Sequence, residues 1–151
     1  LPFKVNDVLA QKEERNESSE KLLAGMHFLL AEDNEINMEI AEFYLTDLGA
    51  TVSKAWNGKE ALELFEASEP GSYDVILMDV MMPEMDGHEA THRIRALKRP
   101  DAQTVRIVAM TAQTSEDSIQ KCLDAGMDGH IAKPINEEKL LSALHKNIET
   151  E

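Results

Sequence analysis

The chain has 151 residues, 15 Lys and Arg against 29 Asp and Glu, a formal net charge of −14, 42% hydrophobic residues and a single cysteine. That length fits one domain of ordinary size, and apolar residues gathered in distinct runs speak against disorder throughout. The lone Cys122 excludes an internal disulfide framework or a Cys-based zinc cluster and points to a reducing, cytoplasmic setting. Excess acid argues against nucleic acid, whose phosphates call for Lys and Arg. No apolar stretch reaches the roughly 18 to 20 residues of a membrane helix, so no direct membrane contact is expected.

Residues 1–25 read as a linker, because Gln11 to Lys21 is charged and Ser-containing without apolar periodicity. From Met26 onward 11 basic residues face 24 acidic ones, so the acidity belongs to the domain rather than to the tail. The runs Phe28–Ala31, Val75–Met78 and Ile107–Met110 are short and apolar on both faces, as central parallel strands are. Thr51–Ala55 alternates and Gly129–Ala132 is brief, which suits flanking strands. Between them, Ile36, Ile40, Tyr44 and Leu48 step by four residues before a stop at Gly49. Ala90, Ile94 and Leu97 repeat that spacing, as do Leu140, Leu141, Leu144 and Ile148, while Thr114–Asp117 offers a capping-box start to a helix closing near Gly126. Five strands alternating with five helices predict a doubly wound α/β domain over residues 26–148, with a short tail at 149–151.

Folds of this class place their sites at the carboxyl ends of the strands. Those ends carry Glu32 and Asp33, Asp79, Thr111, and Lys133 with Pro134. Singly, each has an ordinary explanation: an Asp after a strand caps a helix or forms a turn, and a lysine solvates a surface. Together, three carboxylates on one rim repel one another unless a cation offsets them. A hard divalent ion with few protein ligands and retained waters fits, which favours Mg²⁺. Lys133 can then pair with a carboxylate or with an anion that joins the site.

Glu32-Asp33-Asn34, the stretch Tyr73 to Gly87 containing Asp79-Val80-Met81-Met82-Pro83, Ala109-Met110-Thr111-Ala112, and Lys133-Pro134 occur in the order and spacing of the receiver (response-regulator) domain of two-component signalling, which the chain resembles over about residues 26 to 148. The resemblance implies a flavodoxin-like (βα)5 fold with strand order 2-1-3-4-5. It implies that Asp79 is the phosphoacceptor, attacking the phosphorus of a kinase phosphohistidine. Asp33, Asp79 and the backbone carbonyl of Met81 would ligate Mg²⁺, with Glu32 acting through a metal-bound water. Lys133 and Thr111 would contact phosphoryl oxygens, Ala112 would leave room for the group, and the Lys133–Pro134 peptide would be cis. Thr111 would move inward as the switch, coupled to the fifth-strand position held here by His130, where Tyr or Phe is commoner. A histidine is harder to bury and titrates near neutral pH, so a looser or pH-dependent switch is expected. Met81 and Gln113 would flank the path of water to the acyl phosphate, and an apolar Met81 predicts slow autodephosphorylation.

Implied partners are a histidine kinase domain, in cis or trans, and a histidine phosphotransfer domain; the face between the fourth and fifth helices leaves room for a weak homodimer. Leu1-Pro2-Phe3-Lys4 resembles the closing strand of a histidine-kinase ATP-binding domain, so the expected parent is a hybrid sensor kinase, a histidine protein kinase with this receiver C-terminal and a membrane anchor in segments not present here. Two alternatives carry different signatures. A receiver that no longer accepts phosphate would lack an acid, the Thr or the Lys, and all are present. An aspartate-nucleophile phosphohydrolase would want an acid two residues after Asp79, where Met81 stands. Trp56 is expected to pack or lie exposed, Cys122 to be inert for want of an activating base, the eight methionines to fill core and loops, and His27, His88, His92 and His145 to ligate nothing.

Overall fold

The computed structural model describes residues 22–149. The expected linker up to Lys21, the Leu1–Lys4 strand remnant and residues 150–151 lie outside them, as does the side chain of Ile148. Strands β1 (His27–Ala31), β2 (Thr51–Ala55), β3 (Val75–Asp79), β4 (Arg106–Thr111) and β5 (Gly129–Ala132) alternate with helices α1 (Glu35–Asp47), α2 (Gly58–Ala67), α3 (Gly87–Arg95), α4 (Glu116–Ala125) and α5 (Glu137–Glu149). All strand pairs are parallel, in the order β2-β1-β3-β4-β5.

Every residue of β3 is buried, and β1 and β4 are buried except at their first positions, which is why their sequences are continuous apolar runs. Alternate residues feed two cores. Phe28, Leu30, Leu77 and Val108 point to the side covered by α1 and α5, whereas Leu29, Ile76, Ile107 and Ala109 point to the side covered by α2, α3 and α4. Leu23 is buried in the first core and donates its N–H to Leu48 O at 3.0 Å, so packing begins ahead of Met26.

One helix face differs from expectation. Ile36 and Ile40 of α1 are 67% and 39% exposed, while Met38, Ala41 and Leu45 enter the core. The helix carries apolar residues on more than one side, so a four-residue step does not by itself select the buried stripe. Asn34 starts the helix, accepting from Asn37 N at 2.9 Å as the N-cap. Helix α4 starts within the expected box, with Ser115 as cap, and ends at Gly126, whose φ of 109° is left-handed.

The strand order reverses direction at the β1–β3 pair: β2 lies to one side of β1 and β3 to the other. A crevice opens there at the carboxyl ends, where no crossover helix covers the sheet.

Candidate functional site

The register brings the strand-end residues together. Ala31 pairs with Met78, Asp79 with Met110, and Thr111 with Ala132, so Glu32, Asp79, Thr111 and Lys133 lie within one step of a common row. Lys133 N–H donates to Thr111 O at 2.8 Å and continues that row beyond β5. The Lys133–Pro134 peptide is cis.

Glu32 and Asp79 are buried, at 1% and 3% exposure, while Asp33 is exposed at the mouth. Oxygens of these three carboxylates all lie within 4.8 Å of one another. The Lys133 ammonium sits 2.9 Å from Glu32 Oε1 and 3.0 Å from Asp79 Oδ1, and Glu32 Oε2 also accepts from Asn34 N at 3.1 Å. Burial, with the hydrogen bond and repulsion from Glu32, raises the Asp79 carboxyl from 3.8 to about 7, against the opposing pull of Lys133. Burial lowers the Lys133 pKa, but its bonds to Glu32 and Asp79 and their charges outweigh that, so the net direction is upward and the ammonium stays charged.

Once Asp79 is ionised, one ammonium faces three carboxylates, two of them buried, which leaves an excess of two negative charges. A dication with oxygen ligands is the charge and ligand chemistry that offsets this excess, and the donor set fits Mg²⁺.

The remaining expected site residues are arranged as follows. The Thr111 hydroxyl donates to Gln113 O at 2.8 Å and accepts from Gln113 N at 3.0 Å, so it is engaged by its own turn. The Gln113 side chain accepts from Ser118 Oγ at 3.2 Å at the start of α4. Ala112 is exposed, and the Met81 side chain is 78% exposed on the loop after β3. His130 is half-buried on β5, lining a groove of about 760 Å³ between α4 and α5 with Ile119 and Leu123. Hence Glu32, Asp33, Asp79 and Lys133 form one cluster, and His130 lies in a separate groove.

Two relationships were not visible in the sequence. His88 Nε2 lies 3.6 Å from Cys122 Sγ, across the α3–α4 contact, so a base does neighbour the thiol. Burial nevertheless raises the Cys122 pKa and keeps the thiol protonated. Glycines also shape the site: a Cβ at Gly87 would collide with the carbonyl of Asp79, so α3 can start against the end of β3 only with glycine there. The signal for it is the placement of Gly87 just ahead of an apolar helical period.

Residues 28–145 match the family model described as the response regulator receiver domain. The chain belongs to that family. Among curated relatives, the receiver is 42% identical over 134 residues to Probable histidine kinase 2 of Oryza sativa subsp. indica, covering 82% of this chain and 13% of the relative. It is 36% identical over 138 residues to Hybrid signal transduction histidine kinase L of Dictyostelium discoideum, covering 91% of this chain and 8% of that one. The chain therefore spans a small fraction of the length of the relatives it matches. Among solved structures, the receiver domain of a Pseudomonas aeruginosa sensor histidine kinase, with magnesium coordinated in its active-site cleft, superposes with a TM-score of 0.73 at 36% identity, over 83% of this chain and 99% of the other. The receiver domain of the histidine kinase CKI1 from Arabidopsis thaliana, complexed with Mg²⁺ and BeF3⁻, gives 0.75 at 30% identity, over 89% and 96%. The strand order and five helices of this receiver are those of the CheY-like fold that these structures share.

Proposed function

We propose that this receiver accepts a phosphoryl group on Asp79 from the phosphohistidine of a histidine kinase domain and hands it on to a transfer domain or changes conformation in response. The observation that carries this reading is the cluster itself: Asp79 buried at the end of β3, a lysine at 3.0 Å and two further carboxylates within 4.8 Å. One Asp79 oxygen forms a bond to phosphorus as the P–N bond of the donor breaks, and the imidazole nitrogen leaves with the bonding electron pair and is then protonated by solvent. Asp33, Asp79 and the Met81 carbonyl would hold Mg²⁺, with Glu32 reaching it through water; the ion offsets charge on the carboxylates and the phosphoryl oxygens. Lys133, already bound to Asp79, supplies a fixed positive charge to the transferred group. Thr111 must release Gln113 O before its hydroxyl can serve a phosphoryl oxygen, which makes that bond the resting contact of the switch.

A partner also needs a surface. Ile36, Ile40 and Phe43 are 67%, 39% and 63% exposed on α1, and Ile40 shares a crevice with Glu32 and Lys133, so an apolar patch begins beside the site. The sizes and names of the relatives support a hybrid histidine kinase as the parent chain, with residues 26–148 as its receiver. No helix among the described residues is long and apolar enough to cross a membrane.

Incubation with Mg²⁺ and a small phosphoryl donor, followed by intact mass, tests the reading. One added phosphoryl group, abolished by Asp79→Asn and by chelator, is expected. No adduct under any condition would leave a receiver that only binds, and steady turnover of a phosphate ester would make it a hydrolase.

A further inference from the structure

The Met81 carbonyl belongs to a loop that side-chain packing holds only in part. Met81 itself is 78% exposed, and Met82 is the neighbour that enters the core. Val80 and Met85 pack partly buried against the same core, and the loop is further tied through its backbone. Val80 O accepts from Gly87 N at 2.9 Å, Pro83 O from Met85 N at 2.7 Å, and Met85 O from Gly58 N at 2.9 Å. That last bond comes from a different segment, the turn after β2. A Cβ on Gly58 would collide with the Met85 carbonyl, so the two loops meet backbone to backbone.

Glu84 sits between these ties with a φ of 65°, uncommon for a residue with a Cβ. Its carboxylate accepts from Asn57 Nδ2 at 3.0 Å. Asn57 divides its amide between two tasks: Oδ1 caps α2 by accepting from Glu60 N at 2.8 Å, and the NH2 group grips Glu84. Neither residue reaches the cluster of Glu32, Asp33, Asp79 and Lys133 directly.

We propose that Asn57 is a positioning residue for the metal-binding loop: its clasp on Glu84 holds the loop from Val80 to Asp86, and with it the Met81 carbonyl, where Mg²⁺ needs an oxygen ligand. The proposal rests on the metal site given under Proposed function. The turn after β2 thereby sets the metal affinity of a site at the end of β3, and Trp56, adjacent to Asn57, is a built-in fluorescence probe of the clasp.

The test compares wild type, Asn57→Asp, and Asn57→Asp combined with Glu84→Gln, titrated with MgCl2 near pH 8 by calorimetry and by Trp56 emission. Asp caps a helix as well as Asn does, so the cap of α2 is kept in all three proteins, and in urea the single variant should lose only the clasp, about 1 kcal/mol, which the double variant recovers. The single variant turns the clasp into two facing carboxylates. Its added negative charge would, acting at long range, tighten Mg²⁺ binding; the broken clasp weakens it, by about fivefold for one lost hydrogen bond. The double variant has the net charge of wild type and re-forms the clasp with donor and acceptor exchanged, so its affinity should return to within about twofold. Exchange of the Gly58 amide should accelerate in the single variant and slow again in the double. Affinity unchanged or tighter in Asn57→Asp, or no recovery in the double variant, overturns the proposal alone. A wild-type chain that binds no Mg²⁺ overturns the reading of the site and the proposal with it.

Discussion

Replacing Asp79 by Asn should make the metal-free protein more stable, in proportion to pH. The folded chain holds the Asp79 carboxyl at about 7 instead of 3.8, because the carboxylate is buried and faces Glu32. A carboxyl raised in this way binds its proton more tightly when folded, so its contribution to stability is complete below about pH 4 and is lost as the pH climbs through about 7. At roughly 1.4 kcal/mol per pH unit, the full loss is about 4 kcal/mol, an upper figure. Asparagine resembles the protonated acid in shape and charge and incurs none of that loss.

Urea or thermal unfolding of wild type and Asp79→Asn in chelator should therefore coincide near pH 4 and diverge by about 3 to 4 kcal/mol near pH 8, or about 10 °C in Tm for a domain of this size. Mg²⁺ should then narrow the gap, since an ion at a hundred times its Kd stabilises the wild type by about 2.7 kcal/mol and the variant, short of one ligand, by less. Asp33→Asn is the control: Asp33 is exposed, so its removal takes away a charge without relieving burial. If Asp79→Asn were no more stable than wild type at pH 8 without metal, or if the gap were the same at both pH values, the electrostatic account of the pocket would be wrong.

The same carboxyl governs metal binding. Mg²⁺ affinity measured by calorimetry should rise about tenfold per pH unit below about 7 and level off above it, with about one proton released per ion at pH 6 and almost none at pH 8.5. Gly87→Ala should cost about 1 to 3 kcal/mol in urea unfolding, because its Cβ meets the Asp79 backbone and one segment must move. Met81→Asn, which places a water-orienting amide two residues after Asp79, should shorten the phosphoryl lifetime about five- to tenfold as followed by intact mass.

What could be read from the sequence follows from how many other residues each feature depends on. The central strands were legible because a strand covered on both faces must be apolar at every position, and Val75-Ile76-Leu77-Met78 says so without help from elsewhere. The chemical cluster was legible for a related reason: once the strands are parallel and ordered, register alone sets Glu32 beside Asp79 and Lys133 beside Thr111, at sequence separations that no local rule could bridge. Helix α1 was less legible, since Ile36, Ile40, Phe43 and Tyr44 form a second apolar face opposite that of Met38, Ala41 and Leu45, and apolar spacing alone does not choose between the two. Least legible were contacts between single side chains on separate loops or helices. His88 meets Cys122 across 34 residues and Asn57 meets Glu84 across 27, with neither pair belonging to a periodic pattern. The elements that create the site are thus written in hydrophobic periodicity, whereas the ties that tune it are written in pairs. An Asn ahead of a Gly at a helix start reads as a cap and nothing more until the structure shows what its amide donates to.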